Sequence, residues 1–310
     1  MIDKQIIDWL LDSDVSMQYQ VNRDLLMIDR PDLKAKISKE GWGSKIYSFR
    51  KDNGQWGLGF YQPKWTSTHY TLLDLKNLSF PNNSKKIQST IHRILRENIC
   101  SDGGINPAKT LSFSDICING MFLNYAAYFK IGQNKLISIV DYILTQQLPD
   151  GGFNCESCRT GATHSSLHST ISVMEGILEY YQQGYKYRLI ELRKAEEQSR
   201  EFILNHKLYK SHRTGKIIDN KMLLLSYPSR WRYDILRALD YFQTAKVRFD
   251  PRMTDALNIL IKKQRADKRW PLQAKHKGQT HFDMEISGEP SRWNTLRALR
   301  VLKHFGMLEK

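Results

Sequence analysis

Two cysteines and two histidines lie close together in the stretch DGGFNCESCRTGATHSSLHST, residues 150–170. Cys155 and Cys158 have C-x-x-C spacing, and His164 and His168 have H-x-x-x-H spacing. Zinc favours thiolate and imidazole ligands, and histidines four residues apart share one face of a helix. This predicts a zinc or similar divalent ion held by His164, His168 and Cys155. Zinc fingers leave a longer gap between their cysteines and histidines than this stretch does. The alternative is therefore that the cysteines only pack in the turn.

Three further residues are candidates for acid–base chemistry, together with the two histidines of that stretch. His69 and His168 each precede an x-T-[LI] step, which predicts equivalent positions on two helices facing a common cavity. Asp115 and Asp234 lie on otherwise apolar helices, where an unpaired charge costs on the order of several kcal/mol. Each should therefore be paired or face a wet cavity. The alternative for each histidine is a hydrogen bond to a neighbouring helix. The alternative for Asp234 is a structural i,i+3 pair with Arg237.

Aromatic and basic side chains near the starts of the predicted helices are candidates for ligand contacts. Aromatic faces stabilise a carbocation, stack on a sugar or enclose a prenyl chain, and arginine binds anionic groups. Core packing is the alternative for each single ring. The predicted ligand-binding residues are Trp65, Trp231, Tyr233, Arg237, Trp293 and Arg297.

A third group of possible ligands lies in THFDMEISGEP, residues 280–290. His281, Asp283 and Glu285 alternate, so an extended backbone would place all three on one side. The alternative is an ordinary solvated polar loop.

The composition is that of a globular protein, with 41% hydrophobic and 25% charged residues among 310. The N-terminus has no signal-peptide pattern, and no apolar run is long enough to cross a membrane. With only four cysteines, a cytoplasmic protein with reduced thiols is expected. The net charge is +15, but no nucleic-acid-binding motif is present. The dense basic segments 207–216 and 268–278 are either solvated surface or contacts for an anionic ligand.

Nearly every segment has a helical hydrophobic period. Amphipathic segments with a charged face, such as 84–98, alternate with segments apolar on most sides, such as 117–129. The predicted helices are 2–12, 16–28, 31–49, 66–78, 84–99, 114–129, 134–147, 164–182, 187–206, 229–244, 250–265 and 291–304.

A related turn with a bulky last residue recurs about every 50 residues. The turns are DNGQW (52–56), SDGGI (101–105), PDGGF (149–153), RTGKI (213–217) and ADKRW (266–270). One helix pair per repeat predicts an all-α fold, a single (α/α)6 toroid domain over residues 1–310 with six inner and six outer helices. Parallel inner helices would place the long loops at one rim, where long loops usually carry function.

The turns ILTQQLPDGGF (143–153) and SFRKDNGQW (48–56) resemble the repeats of squalene and terpenoid cyclases and of protein prenyltransferase β subunits. The segments WTSTHYTLL (65–73), GATHSSLHST (161–170), RWRYDILRALDYF (230–242) and HFDMEISGEPSRWNTLRALRVLK (281–303) are most similar to bacterial squalene-cyclase-like proteins. The resemblance spans the chain at the repeat level and implies an α/α toroid.

The motifs that carry the chemistry of these families are absent from the sequence. It has neither the D-x-D-D acid of class II cyclases nor the D-D-x-x-D motif of class I synthases. The zinc ligands of prenyltransferases would fall on Ala162, His164 and near Trp231. The resemblance therefore implies a prenyltransferase- or terpenoid-cyclase-like protein that binds an apolar or isoprenoid-like small molecule in a central cavity. A carbohydrate-active (α/α)6 enzyme and a non-catalytic binding module are the alternatives.

Overall fold

A computed structural model describes residues 2–108 and 112–308 of the protein. It is mostly helical, with 54% helix and 3% strand, which confirms the helical part of the fold prediction. None of the described helices is both long and apolar enough to span a bilayer. The helices are α1 Lys4–Leu11, α2 Val15–Val21, α3 Pro31–Lys36, α4 Gly41–Ser48, α5 Thr68–Asn77, α6 Lys85–Asn98, α7 Ile116–Tyr128, α8 Ile137–Thr145, α9 Glu156–Thr160, α10 Leu167–Gln182, α11 Leu189–Asn205, α12 Ile235–Thr244, α13 Thr254–Lys262 and α14 Arg292–His304.

Each of the twelve predicted helices overlaps at least one observed helix. The prediction 31–49 is wrong in its middle, because a turn separates α3 from α4 and Gly41 has φ of +71°. The short helix α9 was not predicted, and α10 begins at Leu167 and not at residue 164. Strands β1 Trp270–Pro271 and β2 Pro290–Ser291 form a small antiparallel pair.

The chain folds as two compact units. Unit 1 contains the N-terminal segment up to Phe49, the segment Asn77–Pro81 and the segment from Leu204 onward. Unit 2 contains Arg50–Lys76 and Asn82–Ile203. The closed toroid and the single domain stay predictions.

In unit 2, helices α7 and α10 are buried on nearly all sides, as predicted for inner helices. The main chains approach closely where Gly120 of α7 meets Gly176 of α10, since a Cβ on either would clash with the backbone of the other helix. Helix α6 instead buries one stripe, from Ile87 to Leu95, as predicted for an outer helix. The segment before α10 also contacts the first turn of α7, since the N–H of Cys117 donates to Sγ of Cys155.

In unit 1, α14 packs against α12 and α2. Asp240 accepts hydrogen bonds from Arg297 at 3.1 Å and Arg300 at 3.2 Å, and Arg300 also bonds Asp24 at 2.8 Å. Arg297 further donates to the carbonyl of Ser226. These buried charges are paired within the unit, as burial requires.

The predicted repeat has a physical basis in a hydrogen bond from each turn to the next helix. The N–H of Trp56, Phe153 and Trp270 donates to the hydroxyl of a threonine, at 3.0 Å in each case. The threonines are Thr68, Thr170 and Thr295, and in the turn ending at Ile105 the acceptor is the side chain of Asn119.

The fourth predicted turn, RTGKI, does not belong to the repeat. Its last residue, Ile217, is 44% exposed, whereas Trp56, Ile105, Phe153 and Trp270 are fully buried. The segment instead forms a local hairpin, in which the N–H of Ser211 bonds the carbonyl of Lys216.

Candidate active site

Six aromatic rings, which we call the aromatic cluster, surround the start of α5 in unit 2. The ring of His69 lies 4.9–5.6 Å, centroid to centroid, from four of the others, and Trp65 lies 4.8 Å from Tyr70. The hydroxyls of Tyr61 and Tyr70 are 3.1 Å apart. Tyr61 is half-buried, so this ring connects the cluster with the surface. The members are Phe60, Tyr61, Trp65, His69, Tyr70 and Tyr125.

His69 is fully buried at the centre of the aromatic cluster. Its Nδ1 lies 3.3 Å from the hydroxyl of Tyr125, and its Nε2 has no hydrogen-bond partner in the described part of the chain. Burial lowers the pKa of His69 to about 3, because charging the ring there costs solvation energy. A neutral imidazole of such low basicity can hydrogen-bond a ligand but is a poor general base near pH 7.

Asp115 lies at the N-terminal end of α7 and is almost fully buried. Its Oδ2 accepts a 2.5 Å hydrogen bond from Nη2 of Arg159, whereas Oδ1 has no partner within the described residues. Burial raises the pKa of Asp115, and the charge of Arg159 opposes this only in part. A carboxyl group with a raised pKa and an uncommitted oxygen has the properties of a general acid.

Two thiols lie beside this carboxyl group. The N–H of Cys117 in α7 donates to Sγ of Cys155 at 3.3 Å, and the hydroxyl of Ser169 in α10 donates to the same sulfur at 3.4 Å. Burial, with Cys117 and Asp115 nearby, raises the pKa of Tyr61. The thiol pair (Cys117 and Cys155), the acid and the aromatic cluster are therefore parts of one site.

The metal prediction for His164, His168 and Cys155 assumed that both histidines share one helix face. His164 precedes α10 and is exposed, and only His168 lies in the helix. Within residues 2–108 and 112–308, no three His, Cys, Asp or Glu side chains are arranged to hold a metal ion. The residues as placed do not fit a zinc site, and the presence of a metal stays a prediction.

The predicted equivalence of His69 and His168 is wrong by three residues. Thr68 and Thr170 make the same hydrogen bond to their turns and so mark equivalent positions. His69 therefore corresponds to Ile171. The x-T-[LI] match misaligned the helices because it paired Thr71, not Thr68, with Thr170.

In unit 1, Asp234 has a structural role. It caps α12 by accepting the N–H of Arg237 at 2.8 Å, and it accepts the hydroxyl of Ser226 at 2.7 Å. Arg237 donates to the carbonyl of Arg232 at 2.7 Å. Asp234 and Arg237 thus meet through a helix cap, which is the usual role of aspartate before a helix, and a catalytic role of Asp234 stays a prediction.

The remaining predicted aromatic residues also lie in unit 1. Trp293 stacks on Tyr227 at 4.6 Å, and its Nε1 is buried without a partner among the residues described. The guanidinium of Arg232 covers the ring of Trp231, and Tyr233 donates to the carbonyl of Leu208. Their role in binding a ligand stays a prediction.

The predicted set His281, Asp283 and Glu285 does not converge on one point. His281 stacks on Phe49, and Asp283 pairs with Lys275. Glu285 accepts the main-chain N–H of Arg292 and Trp293 and the hydroxyl of Ser291 at the start of α14. The three side chains serve separate structural contacts.

Two lysines of the dense basic segments form ion pairs. Lys210 contacts Asp255 at 2.5 Å, and Lys268 contacts Asp3 at 3.0 Å. These contacts favour the interpretation of both segments as solvated surface. Arg159, Ser169 and Tyr125 were not predicted as site residues. Ser169 and Tyr125 lie in predicted inner helices, and their polar groups on these otherwise apolar helices are the signal that could have identified them.

The fold and the site define a mostly α-helical protein with a buried acid beside an aromatic cluster. No protein-family model matches the chain, and no curated protein matches it. Among solved structures, two substrate complexes of variants of the type II terpene cyclase MstE from Scytonema align with TM-scores of 0.45 at 14% identity. They cover 95% of this chain and 88% and 87% of the MstE chains. MstE without substrate aligns with a TM-score of 0.36 at 12% identity, over 89% of this chain and 98% of that chain. Such values assign neither a family nor an activity.

Proposed function

We propose that unit 2 binds an apolar, isoprenoid-like ligand against the aromatic cluster and that Asp115 donates a proton to it. The observation that carries the proposal is the buried Oδ1 of Asp115, which has no partner in the described chain while Arg159 holds Oδ2. Burying a polar atom without a hydrogen-bond partner costs free energy, and such atoms are often retained at functional sites. The raised pKa keeps a proton on Asp115 to higher pH than usual.

The proposed step is the protonation of a carbon–carbon double bond. The O–H bond of Asp115 breaks, a C–H bond forms from the π electrons, and a carbocation and the carboxylate result. Arg159 stabilises the carboxylate through its ion pair, and the faces of Tyr61 and Phe60 stabilise the cation. Loss of a proton from a neighbouring carbon to Asp115 restores the acid and leaves an isomerised or cyclised product.

The carbohydrate alternative requires two carboxyl groups with separate tasks. Arg159 contacts both Asp115, at 2.5 Å, and the exposed Glu156, at 3.8 Å. Glu156 is exposed, so it does not supply a second buried carboxyl group beside Asp115. The aromatic cluster also places ring edges and faces at a largely buried position, where an apolar chain is a better match than a sugar.

Binding tests the proposal. Geraniol, farnesol and geranylgeraniol are titrated into the protein and followed by tyrosine and tryptophan fluorescence and native mass spectrometry. We expect Tyr61→Ala to weaken binding about tenfold or more, which corresponds to about 1.4 kcal/mol, and Tyr61→Phe to change it little. Tyr181→Ala, which removes an exposed tyrosine at the other end of α10, is the control. Equal affinity of the wild type and Tyr61→Ala would exclude the aromatic cluster as the binding site.

A further inference from the structure

Cys155 makes three hydrogen bonds, two of them through its sulfur, that have no role in the proposed proton transfer. Cys117 is the second residue of the 13-residue helix α7, so its N–H has no acceptor within the helix. That N–H and the hydroxyl of Ser169 both point at Sγ of Cys155. The N–H of Cys155 in turn bonds the oxygen of Ser169 at 3.2 Å, which fixes the position of the residue.

This environment favours a thiolate. Two donated hydrogen bonds and the positive end of the α7 dipole stabilise negative charge on Sγ. Hydrogen bonding from the Cys117 thiol is the main cause that lowers the pKa of Cys155, while the same contact and burial raise the pKa of Cys117. The charged groups that face the pair are Asp115, which opposes a thiolate, and Arg159, which supports it. The pair thus consists of one activated thiol and one that keeps its proton.

Cys117 and Cys155 lie close together, and both residues are partly exposed. Cys117 and Cys155 are half-buried, and no disulfide joins the four cysteines. The main-chain N of Cys117 lies 3.3 Å from Sγ of Cys155. The Cα of Cys117, which carries its side chain, is bonded to that nitrogen. The other two cysteines are separate, because Cys158 contacts Gln146 and Cys100 contacts the carbonyl of Ser112.

We propose that Cys155 is a covalent modification site for hydroperoxides and other soft electrophiles, and that Cys117 is its resolving thiol. The Cys155 thiolate attacks one peroxide oxygen, the O–O bond breaks, and the leaving oxide takes up a proton to give water or an alcohol. The Cys155 sulfur is thereby oxidised to a sulfenic acid. The thiol of Cys117 then displaces water from it and forms a Cys117–Cys155 disulfide, so that one peroxide is reduced by two thiols.

Alkylation rates of the unmodified, reduced protein test the first step. The protein is treated with limiting N-ethylmaleimide at pH 7, and the label on each cysteine is measured by peptide mass spectrometry. We expect Cys155 to react at least about tenfold faster than Cys158, although Cys158 is more exposed. Ser169→Ala should slow the alkylation of Cys155 several-fold and leave the alkylation rate of Cys158 unchanged. A faster reaction at Cys158 than at Cys155 would show that exposure alone governs reactivity and would overturn the proposal.

Peroxide treatment tests the second step. After addition of hydrogen peroxide, we expect a peptide pair joined by Cys117 and Cys155, and no such pair in Cys117→Ser. In Cys117→Ser the sulfenic acid should persist on Cys155 and react with dimedone. Cys158→Ser is the matched control and should form the disulfide at the wild-type rate. Wild-type protein that forms disulfides through Cys158 or Cys100 first would contradict the assignment of Cys117 as the resolving thiol.

Discussion

Gly120 of α7 and Gly176 of α10 lie so close together that a methyl group on Gly176 would overlap the carbonyl oxygen of Gly120. Both helices are buried on nearly all sides, so separating them would expose apolar side chains to water. We therefore expect Gly176→Ala to destabilise the protein by about 1–3 kcal/mol or more, measured by urea unfolding. Gly59→Ala is the control, because a Cβ there meets no heavy atom within 4 Å. Equal losses in the two variants would argue against the close approach of the helices.

The hydroxyl of Thr170 should stabilise the turn before α10. It accepts the buried N–H of Phe153 and donates back to the carbonyl of the same residue. Thr170→Val leaves that N–H buried without an acceptor, and we expect a loss of about 1–3 kcal/mol in the free energy of unfolding. Thr170→Ser keeps the hydroxyl and should retain most of the stability. An unfolding curve for Thr170→Val that coincides with the wild type would refute the role of this bond.

His69 should make the protein less stable in acid. Its pKa is about 3 in the folded protein against 6.5 in a model peptide. Between these values the unfolded chain binds a proton that the folded chain does not. The free energy of unfolding therefore decreases by up to about 1.4 kcal/mol for each unit by which the pH is lowered. Above pH 6.5 the contribution of His69 is constant. We expect His69→Gln to show a smaller loss of stability between pH 7 and pH 5, and identical slopes for the two proteins would contradict the burial of a neutral ring.

Arg159 should hold the pKa of Asp115 below the value that burial alone would produce. Arg159→Gln removes the opposing charge, so the Asp115 carboxyl should keep its proton to still higher pH. The measurement is an NMR titration of ¹³C-labelled aspartate, with Asp115→Asn used to assign the signal. Arg188→Gln removes an exposed guanidinium paired with Asp141 and should leave the Asp115 titration unchanged. A downward shift in Arg159→Gln would contradict the ion pair.

Most of the helical architecture could be predicted, because burial imposes a period on the sequence. The alternation of amphipathic and apolar segments correctly separated α6 from α7 and α10. The repeated turns were found for the same reason, since each must bury one bulky residue. The turn ending at Ile217 was misassigned because the letters RTGKI also suit an exposed hairpin.

The site was predictable only in part, because its contacts join residues distant in sequence. Asp115 was identified as a polar residue on an apolar helix, whereas His69 was identified through an x-T-[LI] match that misaligned it with His168. The pairing of Cys155 with Cys117 could not be found, since the C-x-x-C spacing draws attention to Cys158, which faces Gln146. The metal hypothesis rested on a helix that begins three residues later than predicted.

Deuterium exchange tests the central claim, proton donation by Asp115, most directly. Geraniol, farnesol and geranylgeraniol are incubated with the protein in deuterated buffer, and carbon-bound deuterium in the recovered compounds is measured by mass spectrometry. We expect incorporation with the wild type, a loss of roughly 100-fold or more in Asp115→Asn, and wild-type rates in the control Asp141→Asn. Binding of these compounds without any carbon-bound deuterium, or equal incorporation by Asp115→Asn, would contradict the assignment of Asp115 as the acid.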